Sequence, residues 1–290
     1  MKNKGIRRLL EFTLRHIRKA RIPLFSCKFS RKDFTQHQHL AVLVLKSYLK
    51  ADYRKACQIA LELKACFEVL KLKKIPHFTT LQKFFCRMPA RWLDVLINKV
   101  LHQFDAIKYL AIDSTGLECD RPSRYYQMRL EGATLVSNFL KLSALLDVKR
   151  RLPVAVCCHN RHRHDSRDFL PLVKKVRSRT KYFVADKAYD SERNLQVLKE
   201  MGIKPIIPLR LCGPSVKTRC RKKMLREWAS NPHMERQYHQ RSLIESFFSS
   251  LKRRFGSQVH SRLWYLQRRE AMLKVMVYSI VRRVEFLFFW

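Results

Sequence analysis

The chain has 290 residues, of which 47% are hydrophobic and 11% aromatic. That is enough apolar material for a sizeable core, and it excludes wholesale disorder. Lys and Arg number 61 against 23 Asp and Glu, a formal +38, so the expected partner is a polyanion, nucleic acid before a membrane surface.

Residues 1–104 read as helical. The amino terminus is basic, but Glu11, Arg15, Arg18 and Lys19 interrupt any signal-like apolar run, so no targeting segment is expected. Leu40–Leu72 carries apolar residues at helical spacing with no Gly or Pro, which predicts one continuous helical stretch. Pro76 breaks the pattern, and Phe78-Thr79-Thr80-Leu81 opens a new helix with a Thr as its cap. Lys83, Arg87 and Arg91 along that helix fit a helix-turn-helix reader of DNA and equally an ordinary helical hairpin. Cys57, Cys66 and Cys86 sit singly in apolar context. The odd total of nine cysteines, with no Cys-x-x-Cys pair, predicts a reduced intracellular chain.

The texture changes at Ile107. Lys108–Asp113 is a short apolar strand ending in an acid, and Phe139–Val148 and Leu152–Cys158 form a hairpin across Lys149-Arg150-Arg151. Asp168–Val176 follows as a helix, and Tyr182–Asp186 is a second strand ending in an acid. Ser191–Met201 is a helix stopped by Gly202, and Lys204–Leu209 is a fifth strand. Leu211–Gln237 reads as a basic loop with a helical piece. Long helices are expected from about Tyr238 to Gly256 and from Arg268 onward. Three strands and then alternating helix and strand give a ribonuclease-H-like α/β fold, a mixed five-stranded sheet flanked by helices behind an all-helical domain. No stretch approaches a membrane span, the longest apolar runs being Leu40–Leu45 and Phe286–Trp290.

Charge is distributed unevenly. Residues 1–100 hold 23 basic and 6 acidic side chains, residues 101–200 hold 19 and 12, and residues 201–290 hold 19 and 5. Carboxylates gathered in the middle of so basic a chain suggest a metal-dependent enzyme acting on a phosphodiester. Asp113 and Asp186 occupy matching places at strand ends, where α/β sheets bind ligands. Two such carboxylates suit Mg²⁺, which takes few protein oxygens and keeps other positions for water and phosphate.

A third element lies in Tyr238-x2-Arg241-x3-Glu245-x6-Lys252. At about 100° per residue these four fall in one narrow stripe, while Leu243, Ile244, Phe247, Phe248, Leu251 and Phe255 cover the other side. The apolar side is expected on the sheet, with the stripe held along its margin.

Leu110-Ala-Ile-Asp113-Ser-Thr, Ala185-Asp186-Lys-Ala-Tyr-Asp190 and the Tyr-Arg-Glu-Lys signature together resemble the DDE transposases of bacterial and archaeal insertion sequences. Ser123-Arg-Tyr-Tyr126 and His164-Asp-Ser-Arg-Asp-Phe169 also resemble family positions between the acids. Ala188 departs from the Gly of many relatives, and the 58 residues between Asp186 and Glu245 leave no room for a large β-rich insertion. The resemblance implies catalytic, metal-binding roles for Asp113, Asp186 and Glu245, with Mg²⁺ as cofactor and Mn²⁺ as its substitute. It implies that Tyr238, Arg241 and Lys252 position DNA. Residues 1–104 would bind terminal inverted repeats and residues 105–290 would cleave and join strands. The partner would be double-stranded DNA, the assembly a homodimer without membrane attachment, and the location the cytoplasm, at the nucleoid.

Other groups compete for these roles. Cys157-Cys158-His159-x2-His162-x-His164 is dense in donors but lacks a standard zinc spacing. Its cysteines read as the end of a buried strand, and its histidines, with Arg161 and Arg163, as facing phosphate. Asp165 and Asp168, and likewise Asp190 and Glu192, read as acids stabilising helix N-termini. Lys217–Lys223 reads as a solvated basic loop or a clamp on a DNA strand. A DNA-binding protein of the same fold that no longer cuts is the alternative function; a ribonuclease or junction resolvase is a third.

Overall fold

The computed structural model describes residues 2–102, 104–119, 139–160, 163–210 and 217–289. Ser123-Arg-Tyr-Tyr126, Arg161 and His162 lie outside the described residues. The chain forms two compact units. One comprises residues 1–101, 251–257 and 261–290, the other residues 102–250 and 258–260.

The first unit is helical: α1 (Lys2–Lys19), α2 (Gln36–Tyr48), α3 (Tyr53–Glu62), α4 (Lys64–Leu70), α5 (Phe78–Arg87) and α6 (Ala90–Val95). The continuous helix expected over Leu40–Leu72 is three helices. Lys50 adopts a left-handed φ of 52°, and Asp52 accepts the Lys55 N–H at 2.7 Å to cap α3. A short acid that satisfies a helix's first N–H groups competes with helical continuation through its own position. His77, rather than a threonine, occupies the cap of α5.

The apolar run Ala271–Val281 is buried and belongs to the last helix, which runs Trp264–Phe289 and packs on α1, α2 and α6. This packing places residues 261–290 with the head of the chain, whereas an unbroken domain over 105–290 was expected from sequence.

The second unit is built on a mixed sheet of β1 (Ala106–Cys119), β2 (Phe139–Asp147), β3 (Leu152–His159), β4 (Arg179–Val184) and β5 (Lys204–Ile206). The strand order is β3-β2-β1-β4-β5. A sixth short strand, β6 (Gln258–Val259), pairs with the far end of β1, so the sheet has six strands instead of five. Strand β2 is buried along almost its whole length, as expected when helices cover both faces. In chain order α7 (Ser166–Val173) precedes β4 and α8 (Glu192–Glu200) precedes β5. Helix α9 (Arg219–Ser230) and α10 (His233–Tyr238) follow, then α11 (Ser242–Phe255) and α12, the last helix. Gly202, at φ 69°, ends α8, and the Ile203 N–H reaches back to the Leu198 carbonyl at 2.8 Å.

Strand β1 is longer than its hydrophobic pattern suggested. Asp113 lies within it, paired with Ala144 of β2, because Ser114, Thr115 and Gly116 continue the ladder. Among the described residues no helix is long and apolar enough to cross a membrane.

The end of β2 is fixed by a buried ion network. Asp147, fully buried, accepts from His102 Nε2 at 3.2 Å and from Arg150 Nη1 at 2.7 Å. Burial pushes the Asp147 carboxyl up, but the hydrogen bonds from His102 and Arg150 outweigh it and hold the carboxyl below its ordinary value. Its stabilisation is therefore fully present above the ordinary carboxylate range and is lost as pH falls through the lower folded value. Asp147→Ala leaves the buried His102 and the part-buried Arg150 without their shared acceptor and is expected to cost about 3–5 kcal/mol, read as a lowered midpoint in urea unfolding.

Candidate functional site

Strands β1 and β4 are parallel and in register, with Ala111 opposite Val184. Two residues further along each strand direction stand Asp113 and Asp186, so the pairing brings the two acids to one part of the sheet. Asp113 accepts the Ser114 N–H at 2.8 Å, and Asp186 accepts the Lys187 N–H at 2.7 Å as it caps a single 3₁₀ turn, Lys187–Tyr189. Local backbone donors thus orient both carboxylates.

Helix α11 brings the third acid. Ile244, Phe247 and Phe248 are buried on one side, and Glu245 remains exposed on the other. The helix expected from Tyr238 to Gly256 is interrupted: Tyr238 ends α10, and a 3₁₀ turn, His239–Arg241, leads into α11. The four signature residues therefore do not share one continuous α-helical stripe. Arg241 nevertheless lies over the Tyr238 ring, 5.9 Å from its centroid, and ion-pairs with Glu245 at 2.6 Å. Lys252 is half-buried two turns further along the same helix.

Arg241 ties the set together. Its guanidinium also lies 3.5 Å from Asp113, and Asp186 adds to its field. Burial works against the Arg241 charge, but Tyr238, Glu245, Asp113 and Asp186 outweigh it and raise its pKa. Burial raises the pKa of the Tyr238 phenol, and the nearby Asp186 carboxylate adds to it, against the pull of Arg241. The Asp113 carboxyl is raised above its ordinary value, first by burial and then by the nearby charges of Glu245 and Asp165, against the pull of Ser114 and Arg241. Three carboxylates around one cation, with one of them destabilised as an anion, leave a place where added positive charge is favourable. Hard oxygen donors of this kind fit a divalent cation such as Mg²⁺ or Mn²⁺.

Asp165 and Asp168 stand at the start of α7 as expected, at its N-cap position and in its first turn, and both also make tertiary pairs. Asp165 makes no side-chain cap; it accepts from Ser114 Oγ at 2.7 Å and pairs with Lys141 at 2.7 Å. Asp168 is fully buried, accepting from Ser143 Oγ and facing Lys141, His159 and Arg163 at 3.0–3.3 Å. Burial alone raises Asp165, and the bonds from Lys141 and Ser114 reverse the shift. The signal for this network was Lys141, a lone cation inside the apolar run Phe139–Val148 that required a carboxylate partner.

Cys157, His159 and Asp168 bring donor atoms within 4.8 Å of one another. His159 thus faces an acid, where the sequence reading put it toward phosphate. The Asp168 charge is already met by Lys141 and Arg163 as well as His159, and burial pushes the Cys157 thiol up to about 12. A metal here would have to displace cations and a thiol proton.

Glu192 stands in the first turn of α8, which Ser191 caps, and it and Asp190 also reach across to α9. Asp190 takes the Arg221 guanidinium at 2.8–3.2 Å, and Glu192 accepts the Cys220 and Arg221 N–H groups. They fasten the start of α9.

A family model described as "Transposase DDE domain" matches residues 106–280, more than half of the chain. The chain belongs to the DDE transposase family. Among solved structures, a piggyBac transposase synaptic complex with hairpin DNA is similar at TM-score 0.50 and 12% identity. That similarity covers 97% of this chain and 72% of the other, and shows a shared fold. No curated protein matches the chain in sequence. The chain is therefore an enzyme of the transposase family, and its mixed sheet with flanking helices is the fold of that catalytic class.

Burial tends to raise Glu192, but hydrogen bonds from Thr218, Cys220 and Arg221 outweigh it and hold its carboxyl at about 2. Its grip on α9 is expected to persist above the ordinary Glu range and to fail as pH falls toward that value. Glu192→Ala removes the acceptor of two backbone N–H groups, and amide exchange across residues 217–230 is expected to quicken about tenfold or more at neutral pH.

Proposed function

We propose that this transposase binds the terminal inverted repeats of a mobile element, of the bacterial or archaeal insertion-sequence type, and cleaves and transfers DNA strands with Mg²⁺. The observation that carries the reading is the convergence of Asp113, Asp186 and Glu245 on Arg241. The strand order β3-β2-β1-β4-β5 supports a ribonuclease-H-like catalytic domain.

Asp113, Asp186 and Glu245 would hold the metal, and Mn²⁺ would substitute. A divalent ion in such a site supplies Lewis-acid stabilisation of phosphoryl oxygens and an activated water. The chain's own residues supply the rest. The Ser114 and Lys187 N–H groups orient the two aspartates, and Tyr238 stands beside Asp186 and under Arg241. Arg241 sits among the acids with donors suited to a phosphate oxygen, so it positions the scissile group as well as balancing charge. Lys252 extends the cationic edge of α11 toward flanking backbone. Lys83, Arg87 and Arg91 are exposed in the helical unit and supply a surface for the inverted repeats. A homodimer holding paired ends, working in the cytoplasm at the nucleoid, completes the reading. The alternative, a DNA-binding protein of the same fold without cleavage, is disfavoured because all three acids are present and oriented.

Asp113→Asn, Asp186→Asn and Glu245→Gln are each expected to abolish Mg²⁺-dependent cleavage of element-end DNA while leaving DNA affinity within a few-fold. Each removes one ligand charge at nearly constant volume. Normal cleavage by all three variants would overturn the assignment. Arg241→Ala is expected to cost roughly a hundredfold in single-turnover cleavage and little in affinity, because positioning depends on few groups and affinity on many. Equal losses in both would reduce Arg241 to general basic surface.

A further inference from the structure

Asp113 and Asp186 stand just past the strand pairing that brings them together. The ladder between β1 and β4 ends at Ala111 opposite Val184, two residues short of both acids. Their spacing therefore needs another support, and the start of α7 supplies one. Successive side chains of a strand point to opposite faces, so Ser114 turns toward α7 while Asp113 turns toward Arg241. Asp165, at the N-cap position of α7, accepts from Ser114 Oγ at 2.7 Å, and the Ser114 N–H holds Asp113 Oδ1 at 2.8 Å. The other carboxylate oxygen, Oδ2, is left facing Arg241 at 3.5 Å.

The next residue reaches the second acid. Ser166 Oγ accepts from Asn194 Nδ2 at 3.1 Å, and the same amide group donates to the Tyr189 carbonyl at 2.9 Å. Tyr189 closes the 3₁₀ turn that Asp186 caps, its N–H on the Asp186 carbonyl at 3.0 Å. Two adjacent residues thus connect β1 beside Asp113 to the turn that Asp186 opens. The connection is stiff. Lys141 Nζ holds Asp165 at 2.7 Å and is itself anchored by Asp168 and the Arg163 carbonyl. Helix α7 packs on β2, β3, α8 and the 3₁₀ turn, and Asn194 and Tyr189 are buried. Hydrogen bonds linked in this way rigidify the elements they join.

We propose that Asp165 and Ser166 are positioning residues, which fix the separation of Asp113 and Asp186 and so the preference of the site for Mg²⁺ over Ca²⁺. Mg²⁺ is small and binds well only in near-ideal octahedral geometry, whereas Ca²⁺ accepts irregular ligand sets. Slack between two ligands therefore costs Mg²⁺ more. The proposal rests on the reading above that these acids share a metal; the bridge between them stands on its own hydrogen bonds.

The test measures Mn²⁺ binding to the full chain without DNA, by water-proton relaxation, with Mg²⁺ and Ca²⁺ as competitors. The variant carries Asp165→Ala and Ser166→Ala together. Asp165 is 34% exposed, and Lys141 keeps its other two partners, so no buried charge is stranded. Mg²⁺ is expected to bind about tenfold more weakly, the size usual when a group supporting a metal ligand is lost, and Ca²⁺ to weaken by less than about twofold. A variant that merely loses its fold would lose both ions alike. Ser114→Ala cuts the Asp165 link from the strand side, so it is expected to match Asp165→Ala, and the pair together to lose no more than either alone. Equal losses for Mg²⁺ and Ca²⁺, no loss for either, or additive losses from Ser114→Ala and Asp165→Ala overturn the proposal. Asp113→Asn is the reference. If it binds Mn²⁺ as the unsubstituted chain does, the metal-site reading falls and takes the proposal with it, whereas lost binding there with unaltered Mg²⁺ preference in the α7 variant removes the proposal alone.

Discussion

Three carboxylates drawn from positions 113, 186 and 245 lie around the guanidinium of Arg241, and much of the unit built on the sheet serves to make that arrangement tolerable. Like charges at such spacing oppose one another, and burial of Asp113 adds to the cost of its ionisation. Arg241 offsets part of it, and backbone N–H groups of Ser114 and Lys187 offset more. What remains favours a further positive charge, which is the property a metal-dependent phosphoryl-transfer site needs.

Around that centre lies a layer of pairings that leaves few charges unmatched. Lys141 stands between Asp165 and Asp168, and Ser114 links Asp165 back to the residue beside Asp113. Tyr189 is buried nearby, its hydroxyl field shaped by the same acids, which raise its pKa together with burial. Such a network fixes the position of β1 and α7 relative to one another within the unit. Buried ionic groups are costly individually, and their use here is most readily understood as a means of holding geometry.

The chain's large positive charge is not spread evenly over this framework. Acidic residues serve as anchors, as Glu192 and Asp190 do for α9, while Lys199, Lys204, Lys222 and Arg226 stay exposed. The same +38 that announces a nucleic-acid partner is thus divided by folding between structural pairing and free surface.

Much of this was legible in the amino-acid order. Alternating and 3.6-residue patterns gave the strands and most helices, Gly202 marked a helix end, and the fixed spacing of Arg241 and Glu245 placed them a helical turn apart. Those features depend on neighbours in sequence, so sequence carries them. The length of β1, the breaks near Lys50 and at Tyr238, and the grouping of residues 261–290 with the head depended on tertiary packing. Polar Ser114 and Thr115 stay in a strand because β2 supplies their ladder partners, and Ala271–Val281 needs a distant apolar face to bury against. Asp165, Asp168 and Glu192 stand at helix starts as their local spacing implies, but only folding supplied the cationic and N–H partners that these acids and Asp190 take from far along the chain.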